Sequence, residues 1–140
     1  PINIGIPGAK LGLPNIVTVL LMYSAGNAAA FTIGLLRIVL SGFMFGNLFA
    51  IAYSAAGLCA SFAAMALLKK SGGFGMIGVS TAGGVMHNIG QIAIAVLLTN
   101  GSVLSYLPVL LAAGIIAGIV IGILSGILNK RLSAFLKKLS

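Results

Sequence analysis

His87, Asn88 and Gln91 are the side chains best equipped to recognise a ligand. They sit together in Gly83-Gly84-Val85-Met86-His87-Asn88-Ile89-Gly90-Gln91, inside an otherwise apolar stretch. His87 and Gln91 are one helical turn apart, so a helix presents them on one face. Polar groups in an apolar segment are costly unless compensated, so they face a cavity or hydrogen-bond across helices. Both readings stay open: the polar wall of a ligand pocket, or a network fastening helices together. Arg37 poses a sharper question. The chain has eight Lys and Arg residues but no Asp or Glu, so no carboxylate of its own can pair with the guanidinium. An unpaired buried guanidinium needs compensation. It reaches the membrane interface, bonds backbone carbonyls, or meets an anion from a ligand, from lipid phosphate or from a carboxylate on a first helix preceding these residues. Lys10, with Asn15 close behind it, raises the same question, and an all-basic polar set suits a small anionic ligand.

The missing carboxylates exclude much chemistry. Magnesium-assisted diphosphate chemistry needs hard oxygen ligands, and paired carboxylate acid–base catalysis needs the acids themselves. A Ser-His-acid triad cannot form, and one His with one Cys cannot complete a metal site. Gly72-Gly73-Phe74-Gly75 lacks the Lys-Ser/Thr ending of a phosphate loop. We therefore expect no catalytic residue, no metal and no cofactor. Nucleic acid is a poor partner, because the basic residues cluster at helix ends.

The elements that position these residues are membrane helices. The chain is 60% hydrophobic and 6% charged, with a formal charge of +8 and a mean hydropathy of +1.23. Its apolar runs approach the ~20 residues needed to cross a bilayer. Glycine, proline, asparagine and lysine divide it into five segments: about Leu13 to Tyr23, Asn27 to Phe43, Leu48 to Leu68, Phe74 to Thr99 and Leu104 to Leu128. The first is short for a ~30 Å hydrocarbon core, which implies tilt, interruption or partial embedding. Continuous apolar runs without period-two alternation argue against a β-barrel. The fold expected is an all-α integral membrane protein with a single helical domain over 1–128 and a basic amphipathic tail over 129–140. Cys59, flanked by Gly57, Leu58 and Ala60, reads as a small buried packing residue.

Lys69 and Lys70 end the third segment, and Lys130, Arg131, Lys137 and Lys138 occupy the tail. Two spans separate these clusters, so both fit the cytoplasmic side under the positive-inside rule. The stretch Pro1 to Gly12 then falls outside, and a further helix before it would give six spans with both termini inside. Leu128, Leu132, Phe135, Leu136 and Leu139 share one helical face, fitting a helix in the headgroup region or a solvated basic tail. Gly114, Gly118, Gly122 and Gly126 recur every four residues and make a smooth face for close helix packing, within the chain or with another subunit.

Two motifs carry a family resemblance. Ile6-Pro7-Gly8-Ala9-Lys10-Leu11-Gly12-Leu13-Pro14-Asn15-Ile16-Val17 resembles the PGxKLGLxNI signature of a bacterial membrane family. Arg37 and the Gly83–Gln91 stretch match it as well, so the similarity spans essentially the whole chain. The family is labelled heptaprenyl diphosphate synthase component I, or Gx transporter, and is grouped with the substrate-binding S components of energy-coupling factor vitamin importers. The resemblance implies a six-helix bundle, five helices of which are visible, with a ligand site near the outer face. It places the protein in the bacterial cytoplasmic membrane, with its C-terminus in the cytoplasm. A first helix, docking through small residues onto a coupling subunit, is the part this chain lacks.

The function expected is a substrate-binding membrane subunit gripping its ligand with Lys10, Asn15, Arg37, His87, Asn88 and Gln91. Its partners would be the lipid bilayer and separate ATPase and transmembrane coupling subunits. The alternative is a noncatalytic membrane component of heptaprenyl diphosphate synthase in isoprenoid metabolism, partnered by a soluble prenyl synthase subunit. Without Asp it could be at most an accessory to a prenyltransferase. A third option is a packing or anchoring subunit without its own ligand.

Overall fold

The computed structural model describes residues 13–139. Lys10 and the Ile6–Gly12 part of the first motif lie outside them. Five α-helices follow one another: α1 (Leu13–Ser24), α2 (Asn27–Phe45), α3 (Leu48–Ser71), α4 (Met76–Thr99) and α5 (Leu107–Leu139), with a 3-10 turn at Ser102–Tyr106 before the last. At ~1.5 Å per residue, α2, α3 and α4 match or exceed a ~30 Å hydrocarbon core. α2 to α5 are long and apolar enough to cross a membrane. The 12 residues of α1 reach only about half that thickness. The large apolar side chains left exposed, such as Leu36, Leu40, Leu67, Leu97 and Ile116, give the bundle the outer surface that lipid demands.

Tight turns force neighbouring helices antiparallel. Asn47 caps α3 by accepting a hydrogen bond from the Ala50 N–H at 2.8 Å, leaving one residue, Gly46, before it. Asn100 and Gly101 both adopt positive φ, at 52° and 84°, to end α4, a conformation open to Asn and Gly but strained for most residues.

Glycine sets how closely the helices approach. A Cβ on Gly84 would run into the Gly114 carbonyl oxygen. One on Gly118 would lie 2.5 Å from Thr81 Cα, and one on Gly122 2.6 Å from Ile77 Cα. The glycine row of α5 thus lies on α4 of the same chain along three of its four members. Gly126, whose added Cβ would meet only Met76 Sδ at 3.9 Å, stands at the loose end. On the other side of α4, a Cβ on Gly90 would lie 2.5 Å from the Ala56 carbonyl oxygen. α4 is therefore clamped between α3 and α5, backbone to backbone on both sides. Around it, α1 contacts α2 and α5, and α2 contacts α3.

Each helix adds buried residues to one apolar core: Val19 and Met22, Ala30, Met65, Val79 and Ile121. All lie toward the end of the bundle that carries Lys69 and Lys70. Ser125 reaches α1, donating to the Ile16 carbonyl at 3.5 Å.

One expectation needs correction. Cys59 is exposed, on the outer face of α3 rather than in a helix contact. The basic residues of the tail lie on α5 itself, which continues without a break to Leu139. At ~1.5 Å per residue its 33 residues extend ~50 Å, well past the hydrocarbon core. Residues 130–139 are exposed throughout.

Candidate polar site between α2, α3 and α4

Helix register brings the polar residues to one height. On α3 and α4, Gly57 lies against His87 and Gln91: an added Cβ would be 2.9 Å from both Gln91 Cγ and His87 Cε1. On α2 and α3, Gly34 lies under Leu58, and on its other side 3.7 Å would separate its added Cβ from Thr18 Oγ1 of α1. Gly34 against Leu58 and Gly42 against Ile51 set Arg37 opposite residue 55 of α3, and Gly90 against Ala56 brings Gln91 to that same level. Arg37, Gly57, His87 and Gln91 then occupy one zone near the middle of the bundle, above the apolar core.

Arg37 is partly buried and close enough to His87 for its charge to be felt there. Gln91 is buried. His87 Nδ1 is shut off from solvent, and although it lies against the Gly57 backbone it makes no hydrogen bond of normal geometry among the described residues. With no carboxylate in the sequence, the zone holds a fixed positive charge, an imidazole and a carboxamide. Such a set can bind an anion by one charge-assisted contact and orient it with neutral donors.

Asn88 does something else. Its amide nitrogen donates to the Leu110 carbonyl of α5, and it also packs against Gly114, whose added Cβ would be 2.9 Å from Nδ2. One residue on from His87, its side chain has turned about 100° around the helix. The structure therefore parts Asn88, which faces α5, from His87 and Gln91, which face α3. Asn15 is partly buried on α1, but its neighbour Ile16 packs on the apolar core and accepts from Ser125 of α5, so the structure does not bring Asn15 together with His87 and Gln91.

Two contributors escape sequence reasoning. Gly57 is the floor on which His87 and Gln91 rest, but in a chain with 20 glycines nothing marks it out. Lys69 is the other. It donates to the Met22 carbonyl of α1, approaches Asn27 Oδ1 at 3.5 Å and stands 4.9 Å over the Tyr23 ring. A lysine flanking a loop reads as a topology signal, and its backbone acceptor has no sequence signature.

No curated protein and no solved structure matches this chain. One family model does, described as heptaprenyl diphosphate synthase component I, and it matches residues 1–128. That match takes in every helix that builds the polar zone and stops where the exposed basic end of α5 begins, so this chain belongs to the heptaprenyl diphosphate synthase component I family.

Proposed function

We propose that the protein is a noncatalytic membrane subunit that binds a small anionic ligand between α2, α3 and α4. The observation that carries this reading is Arg37, partly buried at the level of Gln91 among residues that include no Asp or Glu. A guanidinium in an apolar bundle is retained where something negative visits it. One apolar cluster closes the lysine-bearing end of the bundle; in this reading a ligand reaches the polar zone from the opposite end, past the buried Ile92, Ala95 and Leu110. With the lysines on the cytoplasmic side, that end is outside. Capture from outside, with no energy source in the chain, is the work of an S-component-like subunit of an energy-coupling factor importer. ATPase and coupling subunits would be its partners. Asn15, His87 and Gln91 would orient the ligand, and Lys10, outside the described residues, would add a second positive charge.

The test is native mass spectrometry of the gently purified protein. We expect a small bound mass that is lost in Arg37→Ala and Gln91→Ala. An unchanged bound mass in both variants would place the site elsewhere.

The family's description favours a second reading, a noncatalytic component working with other subunits of a prenyl diphosphate synthase. The same Arg37 zone would then hold an anionic isoprenoid. Copurification discriminates: coupling and ATPase subunits support the importer, and a soluble synthase subunit supports the second reading. A synthase whose rate and product length ignore this protein would remove the latter.

A further inference from the structure

The opposite end of the bundle carries a different feature. A cleft of about 330 Å³ opens between the start of α2 and the end of α3, lined by Asn27, Ala66, Leu67, Lys69 and Lys70. We propose that it seats one anionic phospholipid, with the phosphate on Lys69 and Lys70 and an acyl chain running down α3.

The lining is divided in the way such a molecule is. Leu67 is 70% exposed and continues the apolar outside of α3, whereas the lysines sit one turn from the polar loop that begins at Gly72. That places cations at the level where lipid phosphates lie, directly above a surface suited to a hydrocarbon chain. The lysines have hydrogen-bonding capacity to spare. An ammonium has three N–H donors; Lys69 directs one to the Met22 carbonyl and one toward Asn27 Oδ1, leaving a third. Lys70 is exposed and bonds to no described residue.

The start of α2 adds donors. Gly26 provides no side-chain cap, so the first N–H groups of this helix point unpaired toward the same end of the bundle. None of the 140 residues carries a side-chain carboxylate, so no side chain among them neutralises these cations. A free phosphate would satisfy the cations but would leave the apolar half of the cleft empty. This site is independent of the Arg37 zone and survives if that reading fails.

The experiment is native mass spectrometry of the full chain, titrated with phosphatidylglycerol and phosphatidylcholine of identical acyl chains. One phosphatidylglycerol should be retained in preference to phosphatidylcholine. Lys70→Gln should reduce that retention about fivefold, the worth of one lysine near anionic lipid, with the lipid-free unfolding temperature unchanged. Lys130→Gln, outside the cleft, should leave retention as it was. Equal retention of the two lipids, or full retention in Lys70→Gln, overturns the proposal. Displacement of phosphatidylglycerol by millimolar inorganic phosphate overturns it in favour of a free-anion site.

Discussion

Lys69, at the end of α3, donates a hydrogen bond to the main-chain carbonyl of Met22 in the last turn of α1. The final carbonyls of a helix have no partner within it and form the negative end of its dipole, so an ammonium there satisfies both. Through Asn27 Oδ1 and the Tyr23 ring, the same side chain also ties in α2. It anchors the shortest helix of the bundle. Lys69→Met keeps most of the stem and removes the charge. We predict a loss of about 1.5–3 kcal/mol, the range for a hydrogen bond to a charged group, read as a lower unfolding temperature in detergent. An unchanged melting temperature would mean that α1 is held by apolar packing alone.

The glycine row of α5 gives a prediction with an internal control. Alanine at Gly118 would drive a methyl group into the backbone at Thr81, 2.5 Å from its Cα. Backbone cannot swing aside as a side-chain tip can, so α4 and α5 must separate. We expect Gly118→Ala to destabilise by about 3 kcal/mol or more. Gly126 is the contrast, with only Met76 Sδ near, at 3.9 Å. There alanine should be neutral or should stabilise by up to ~1 kcal/mol through helix propensity. Equal effects at the two positions would mean that the α4–α5 contact is looser than described.

Helix boundaries are legible here because Gly26, Asn47, Gly72 and Asn100 mark them with turn and cap chemistry. The end of α5 is not. Asn129-Lys130-Arg131 changes the preferred solvent without breaking the backbone, and no Gly or Pro follows Gly126 to stop the helix. The shared face of His87 and Gln91 follows from a spacing of four, but the partner of each polar residue depends on which helix lies opposite. Asn88 shows the difficulty. It sits beside His87 in sequence and belongs to another interface, and its acceptor is a main-chain carbonyl that any residue at position 110 would supply. The exposure of Cys59 was equally out of reach, because α3 is apolar on all sides and its sequence does not say which side meets lipid.

Asn88 and Gln91 should separate stability from binding. Asn88→Leu removes the stitch to Leu110, and interhelical hydrogen bonds in membranes contribute about 0.6–1.7 kcal/mol. We expect a lower unfolding temperature with the bound small mass retained. Gln91→Ala should do the reverse, reducing ligand retention, since its amide bonds to no described residue. If Asn88→Leu also emptied the site, the two faces of α4 would be coupled.

Gly57→Ala tests the site at its floor. The added methyl would meet Gln91 Cγ and His87 Cε1 at 2.9 Å and His87 Nδ1 at 3.0 Å. These are side-chain atoms, so they can shift by a few tenths of an ångström where backbone could not. The stability change should therefore stay small, about 1–2 kcal/mol at most, and well below that of Gly118→Ala. Binding should respond differently, because the displaced atoms belong to the two residues that face Arg37's zone. A misplacement of that order disrupts preorganised contacts even where the fold tolerates it. We expect ligand retention to fall at least as far as in Gln91→Ala, with far-ultraviolet circular dichroism unchanged. A well-folded Gly57→Ala that kept its ligand would show that His87 and Gln91 fasten helices together and that the anion is held elsewhere.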